Sequence, residues 1–305
     1  MPITTRASTR TPLLLSIAGL LLLPGATLAQ SPAPASPGAD CVPGTVGKLD
    51  HKTGCTDIVL RVESNGGFVP VEFSLTNAPI FTLYGDNTAI FRPQPTGGVY
   101  PGPGEPMIPL VRAVMSPEQV DALLTYALGP GGLAGAAESY LNPMIADAPM
   151  TVFTIDAAGV TKQVAVQALG MDDPTSPDAA IRAQLSGLYD LLDSFEDQVA
   201  AGNVQSADLY QPAGYRGMLT EVYDGATNPK VAWPWSDVTL DDFVAPAGNV
   251  ARYAPLTPDQ VAAVTQVPSG GISSIRLTAP DGSDWFLAIR PLLPEESFLP
   301  PGVTV

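Results

Sequence analysis

Short runs of alternating apolar and polar residues predict β-strands near the start of the folded region. After Asp57, three apolar residues alternate with a more polar set, which predicts a strand with one polar-leaning face: Ile58, Leu60 and Val62 against Val59, Arg61 and Glu63. The apolar runs 80–84 and 88–91 flank Gly85-Asp86-Asn87, three residues that tolerate positive φ. The second pattern predicts a tight β-hairpin.

A longer repeat predicts an amphipathic helix that begins at Ser176-Pro177-Asp178. Its apolar residues recur every three or four positions and form one seam: Ile181, Leu185, Leu188, Leu192, Phe195 and Val199. Gly202-Asn203 supplies a C-terminal stop. Asp190, Asp193 and Asp197 line one flank. We interpret that flank as a solvated acidic face rather than a calcium site or a site for a basic partner.

Two further helix starts share one capping pattern, Ser116-Pro117-Glu118-Gln119 and Thr257-Pro258-Asp259-Gln260. Each has a hydroxyl N-cap, proline at the first helical position and Gln placed to return a capping bond. A strand–turn–strand pattern follows each start, at 151–166 and at 274–289. The recurrence indicates either a duplicated β-α-β-β unit or the ordinary recurrence of caps and hairpins in α+β proteins, and the sequence leaves both interpretations open.

Together these patterns predict an α+β fold in which antiparallel sheets carry helices on one face. The predicted organisation is a signal peptide (1–29), a Pro/Ala-rich linker with a cysteine loop (30–56), a first α+β unit (57–172), a connecting amphipathic helix (173–203) and a second α+β unit (204–305).

The N-terminal segment has the features of a secretory signal. Arg6 and Arg10 precede an apolar run from Leu13 to Leu23 that is too short to span a membrane, and small residues end at Ala29. We therefore expect cleavage near Ala29 and a secreted or periplasmic protein without a membrane span. In such a compartment Cys41 and Cys55, which close a short turn-rich loop, are expected to form a disulfide.

Charge and residue inventory exclude several functions. The chain has 14 Lys and Arg against 30 Asp and Glu, a formal net charge of −16, so nucleic acid and anionic membranes are poor partners. The chain has one histidine, His51, and lacks the motifs of nucleotide-binding and histidine-dependent metal sites. No catalytic triad, metal site or cofactor is therefore predicted, and the balance leans away from an enzyme.

Two kinds of site stay open. Paired carboxylates can cleave glycosides without other groups, and no motif distinguishes the candidates: Glu63, Glu72, Glu118, Glu138 and Glu221. The other candidate is a ligand-binding aromatic site of Trp233, Trp235 and Tyr223, because alternate residues of an extended Trp-Pro-Trp face the same side. The alternative, which we favour, is that the tryptophans fill a core.

The segment Phe81-Thr82-Leu83-Tyr84-Gly85-Asp86-Asn87, followed by the Ser-Pro-Glu-Gln helix start and the 151–154 strand with Ala168-Leu169-Gly170, resembles a group of uncharacterised secreted bacterial proteins. A Leu-Tyr-Gly-Asp-Gly turn is typical of that group, and here Asn87 replaces the last glycine. The resemblance spans roughly residues 57–170 and implies a secreted bacterial origin. It implies no activity and no site residues.

These observations predict an exported, non-enzymatic binding or interaction protein of the bacterial cell envelope, whose partner is an envelope glycan or protein. The alternatives are a carboxylate-dependent hydrolase of extracellular polysaccharide and a secreted protein inhibitor.

Overall fold

The computed structural model contains two β-sheets, of eight and five strands, in the part of the chain that it describes. The described residues are 41–69, 74, 76–102, 104–142, 144–171, 174–223 and 230–300. The predicted signal peptide, the linker up to residue 40 and Glu72 lie outside them. The α+β class and the mostly antiparallel pairing predicted from the sequence are confirmed.

The first sheet has the strand order β5-β7-β6-β1-β2-β3-β4-β8. All its pairs are antiparallel except β5 with β7. Its strands are β1 (Ile58–Gly66), β2 (Phe81–Tyr84), β3 (Thr88–Phe91), β4 (Val111–Val114), β5 (Ser139–Tyr140), β6 (Pro149–Ala157), β7 (Val160–Gln167) and β8 (Ser206–Leu209). The predicted first strand and the β2–β3 hairpin are confirmed, and Asn87 takes a φ of 64° in the turn.

Three helices pack on one face of this sheet: α1 (Pro117–Leu128), α2 (Ala179–Asp193) and α3 (Phe195–Ala200). Leu124 of α1 and Leu188 of α2 are fully buried in the same core as Val62 and Phe153 of the sheet. Ser116 forms the predicted capping box with Gln119 at the start of α1. The long amphipathic helix therefore belongs to the core of the first sheet, together with α1.

The predicted helix at 176–203 is interrupted at Ser194, where the backbone leaves helical geometry and α3 begins. The next residue, Phe195, lies in the core, where its ring is 4.7 Å from that of Phe81 and 5.2 Å from that of Phe91. The apolar period continues across the break, which is why the sequence pattern alone predicts one continuous helix.

The second sheet has the order β10-β12-β13-β9-β11, and only β10 and β12 are parallel. Its strands are β9 (Tyr215–Glu221), β10 (Lys230–Ala232), β11 (Ala251–Leu256), β12 (Ile272–Thr278) and β13 (Asp284–Pro291). The short helix α4 (Pro258–Ala262) begins with the predicted capping box of Thr257 and Gln260. Three 3₁₀ turns complete the described elements, at Thr96–Gly98, Leu240–Asp242 and Pro268–Gly270.

Each sheet contains a hairpin that follows a capped helix, but the two hairpins pair with the rest of their sheets through different strands. In the first sheet the leading strand, β6, pairs with β1, whereas in the second the trailing strand, β13, pairs with β9. β8, which lies in the predicted second unit, is the last strand of the first sheet. The described residues all belong to one compact unit. The internal duplication stays a prediction, and the strand order gives it no further support.

Two segments connect the sheets. In the loop between β3 and β4, Met107 donates its backbone N–H to the carbonyl of Gly271, and Ser273 donates its hydroxyl to the carbonyl of Gly102. After β13, the segment 292–300 passes back to the first sheet, where Glu295 accepts a hydrogen bond from the Tyr84 hydroxyl at 2.7 Å. Cys41 and Cys55 form the predicted disulfide, which closes the loop before β1.

Candidate binding groove

An open groove lies between the loop after β3 and the last two strands of the first sheet. Its volume is about 390 Å³, and eight of its nine lining residues are apolar or proline: Pro93, Gln94, Pro95, Val99, Pro101, Ile108, Pro109, Val111 and Leu209. Val111 of β4 and Leu209 of β8 are direct cross-strand partners. We call this concavity the β8 groove. Its composition matches that of a ligand site, which is mostly apolar with few polar groups.

The β8 groove keeps apolar side chains in contact with solvent. Val99 is 75% exposed and Leu209 is 55% exposed, and the neighbouring Tyr100 is 48% exposed. Prolines along the loop fix its backbone and remove N–H donors that would otherwise need partners. An apolar surface of this kind, held by a proline-rich loop, is typical of an interaction site.

Gln94 fixes the loop to the break between α2 and α3. Its backbone N–H donates to Oε1 of Glu196 at 3.0 Å, and its side-chain amide donates to the carbonyl of Asp193 at 3.1 Å. Its side-chain oxygen accepts from the Tyr100 hydroxyl at 3.1 Å. The interrupted helix thus positions the only polar residue that lines the β8 groove.

Two acidic residues, Asp193 and Glu196, lie behind Gln94, which lines the β8 groove. Oε2 of Glu196 is buried and has no hydrogen-bond partner among the described residues. Burial raises the pKa of the Asp193 carboxyl, and the charge of Arg92 only partly opposes that effect. The carboxyl pair therefore makes this side of the groove a favourable position for a cation.

β8 forms the other side of the groove and ends the sheet. It pairs with β4, and within the described parts of the chain it has no other strand partner. Ser206, Asp208 and Leu209 are exposed. An edge strand with an open side is a template for pairing with another chain.

The structure places Trp233 and Trp235 in the core of the second sheet. Trp235 is 8% exposed, and its indole N–H donates to the carbonyl of Gln260 at 2.7 Å. The indole N–H of Trp233 donates to the carbonyl of Val238 at 2.7 Å. The two rings meet edge to face, 5.3 Å apart at 84°, so they do not form a flat platform of parallel faces.

Tyr223 is the exposed member of the predicted aromatic site. It is 63% exposed, and its ring lies 5.3 Å from that of Phe286, on β13. Among the described residues, no close ring pair joins Tyr223 to Trp233 or Trp235. The ligand-binding role predicted for these three residues stays a prediction, while the packing of the two indoles matches the favoured alternative of a core position.

Buried charged side chains cluster where the C-terminal segment meets both sheets. Arg216 and Arg290 are direct cross-strand neighbours and are both buried. Burial, aided by Arg290, lowers the pKa of Arg216 to about 10. Glu296 pairs with Arg290, and carbonyls of Ser297 and Phe298 accept from Arg216. The cluster is filled by its own partners, which indicates a structural role.

The candidate carboxylates of the hydrolase alternative do not converge on either of the two concavities found. Among the described residues, no acid lines the β8 groove or the smaller cavity beside Asn77 and Met107. Glu63 is half-buried on β1, Glu118 lies in the first turn of α1, and Glu221 ends β9 in the other sheet. Glu138 is exposed just before β5.

Sequence reasoning missed the β8 groove. The signal was the long segment between Phe91 and Val111, rich in proline and glycine and without periodicity, because long loops of this kind in a folded protein are often functional. The sequence gives no indication that Leu209 lies beside it, since that contact depends on the pairing of β8 with β4.

The described residues contain no group of three or more His, Cys, Asp or Glu side chains arranged to hold a metal ion. Across the same residues, no helix combines the length and the apolar character that a membrane span requires. No protein-family model, curated protein or solved structure matches this chain.

Proposed function

We propose that this protein is an exported, non-enzymatic binding protein of the bacterial cell envelope and that the β8 groove is its binding site. The predicted signal peptide and the disulfide support export, since disulfides are typical of oxidising compartments. The observation that carries the proposal is an apolar groove, with Val99 and Leu209 exposed, beside the open edge of β8.

The lining of the groove favours a polypeptide over a glycan. Sugar rings are bound by stacking on exposed aromatic faces and by many hydrogen-bonding groups, whereas Gln94 is the one polar residue that lines this groove. Both indoles of the predicted aromatic site already donate to backbone carbonyls. An apolar groove beside a strand edge instead matches the way extended peptides are recognised.

Val99 and Val250 provide a matched test, because they are 75% and 73% exposed and lie in different parts of the chain. The immobilised protein and its Val99→Asp and Val250→Asp variants are incubated with envelope extract, and bound polypeptides are identified by mass spectrometry. We expect a polypeptide that the wild type and Val250→Asp retain and that Val99→Asp loses at least tenfold.

Equal retention by Val99→Asp would show that the groove is not the binding site. Both variants are first checked for an unchanged unfolding midpoint, since a surface substitution is expected to change stability by less than about 0.5 kcal/mol. Protein inhibition, the alternative predicted from the sequence, would be one consequence of such binding, and it stays a prediction.

A further inference from the structure

The open edge of β8 and the β8 groove lie side by side. Leu209 belongs to both, because it is the last residue of β8 and also lines the groove. A chain that paired with β8 would extend the first sheet by one strand, and its alternate side chains would point toward the face that Val111 and Leu209 share. Main-chain hydrogen bonds would then supply affinity and the groove would select side chains.

Three acidic residues and two cations surround the groove. Asp208 is exposed on β8, and Asp193 and Glu196 lie behind Gln94. The neighbouring cations are Arg92, which lies over the Tyr100 ring at 5.9 Å, and Arg112, opposite Asp208.

A buried carboxylate oxygen without a hydrogen-bond partner is unfavourable, and Oε2 of Glu196 is in that state among the described residues. The carboxyls of Glu196 and Asp193 add negative charge behind the groove, which favours a basic partner over an acidic one. The formal net charge of the whole chain, −16, also favours a basic partner.

We propose that the β8 groove accepts an extended, basic segment of a polypeptide partner as an added β-strand, with apolar side chains in the groove and Lys or Arg on the opposite face of the strand, toward Asp208. This inference rests on the proposed function, because it names the partner class of the same groove. A second copy of this chain is a poorer occupant, since each copy carries a large negative charge.

The test uses synthetic peptides of about nine residues, a length that spans one strand. The probe alternates Lys with Val and carries a fluorophore at its C-terminus. One comparison peptide replaces Lys with Glu, and another is N-methylated at alternate residues, which removes the donors that strand pairing needs. Binding to the wild-type protein is measured by fluorescence anisotropy at low and high salt.

We expect the Lys–Val peptide to bind at least tenfold more tightly than either comparison peptide, and added salt to weaken it. Asp208→Asn is expected to weaken binding about twofold to fivefold. Leu209→Ser is expected to weaken it about fivefold to tenfold, because apolar contact is lost. Glu221→Gln, at an exposed acid of the second sheet, is the control and should leave affinity unchanged.

The outcomes separate this inference from the proposed function. Equal binding of the N-methylated peptide would overturn strand addition, and equal binding of the Glu peptide, or no binding by any peptide, would overturn the basic partner. In each case the proposed function survives if Val99→Asp still loses its envelope partner. A dimer in sedimentation that Leu209→Ser dissociates would instead assign the edge to a second copy and overturn the inference.

Discussion

Arg61 and Glu295 form an ion pair although they lie 234 positions apart in the sequence. Arg61 projects from β1, in the middle of the first sheet, and Glu295 follows the last strand of the second. Tyr84 donates its hydroxyl to the same carboxylate at 2.7 Å. The contact therefore closes the C-terminal segment onto the first sheet and couples the two sheets of the protein.

The side chain of Arg61 is only 12% exposed, so Glu295→Gln, which removes its ion-pair partner, is expected to destabilise the protein by about 3 kcal/mol. The free energy of unfolding is measured by urea denaturation. The control is Lys52→Gln, which removes the ion pair with Asp156 at 2.9 Å; the Lys52 side chain is 64% exposed, so the expected cost is below about 1 kcal/mol.

A double variant, Arg61→Met with Glu295→Met, tests whether the cost comes from an unpaired charge. Replacing both members of a buried pair by apolar groups is often close to neutral, so we expect the double variant to be more stable than Glu295→Gln. If the double variant were less stable than the single one, the pair itself would be the source of the stabilisation.

Glu63 should make stability depend on pH in the opposite direction from an ordinary salt-bridged acid. Burial raises the pKa of its carboxyl above the ordinary value of 4.5, although Arg61 acts against that rise. The folded state therefore favours the protonated form. The stability that this preference gives is complete below pH 4.5 and is lost as the pH rises through the raised pKa.

Glu63→Gln is expected to be more stable than the wild type at pH 7, with the difference disappearing near the ordinary pKa of 4.5. Urea denaturation of both proteins across that range gives the difference. Glu295 and Glu296 also disfavour the charged form of Glu63, and Arg290 favours it. A gain that was the same at every pH would show that the substitution acts by packing and not by charge.

Asn87 combines a strained backbone with a hydrogen bond. Its φ is 64°, in the left-handed region, and its side-chain amide donates to the carbonyl of Thr45 at 2.8 Å. Asn87→Gly removes the bond but relieves the strain, whereas Asn87→Ala removes the bond and keeps the strain.

We therefore expect Asn87→Ala to be less stable than Asn87→Gly by about 1 kcal/mol in thermal or urea unfolding. If the two variants were equally stable, backbone strain would not limit the choice of residue there.

Local features of the fold could be predicted from the sequence, because they depend on residues a few positions apart. Gln119 donates its backbone N–H to the Ser116 hydroxyl at 3.3 Å, and its side-chain oxygen accepts from the Ser116 backbone N–H at 2.8 Å, as the capping pattern predicts. The β2–β3 hairpin and the Cys41–Cys55 disulfide are also local.

The remaining features depend on contacts between distant segments. The pairing of β8 with β4 and the position of Glu295 beside Arg61 are set by the whole fold, and neither strand nor segment carries a local signal for its partner. The helix break at Ser194 is hidden for a different reason, because the apolar period continues across it and Phe195, just after it, still packs against Phe81 and Phe91.

Trp235 offers the clearest separation of a core role from a binding role. Trp235→Ala is expected to cost about 3 to 5 kcal/mol, because it empties a buried site and leaves the carbonyl of Gln260 without its donor. Tyr223→Ala, at a ring that is 63% exposed, should cost much less. Urea denaturation, monitored by circular dichroism, gives the free energy of unfolding of both variants.

The indole of Trp235 should stay insensitive to cell-wall glycans, since it already makes its hydrogen bond and lies within the core. A glycan that quenched the fluorescence of folded protein, with the quenching lost in Tyr223→Ala, would instead support the aromatic binding site predicted from the sequence.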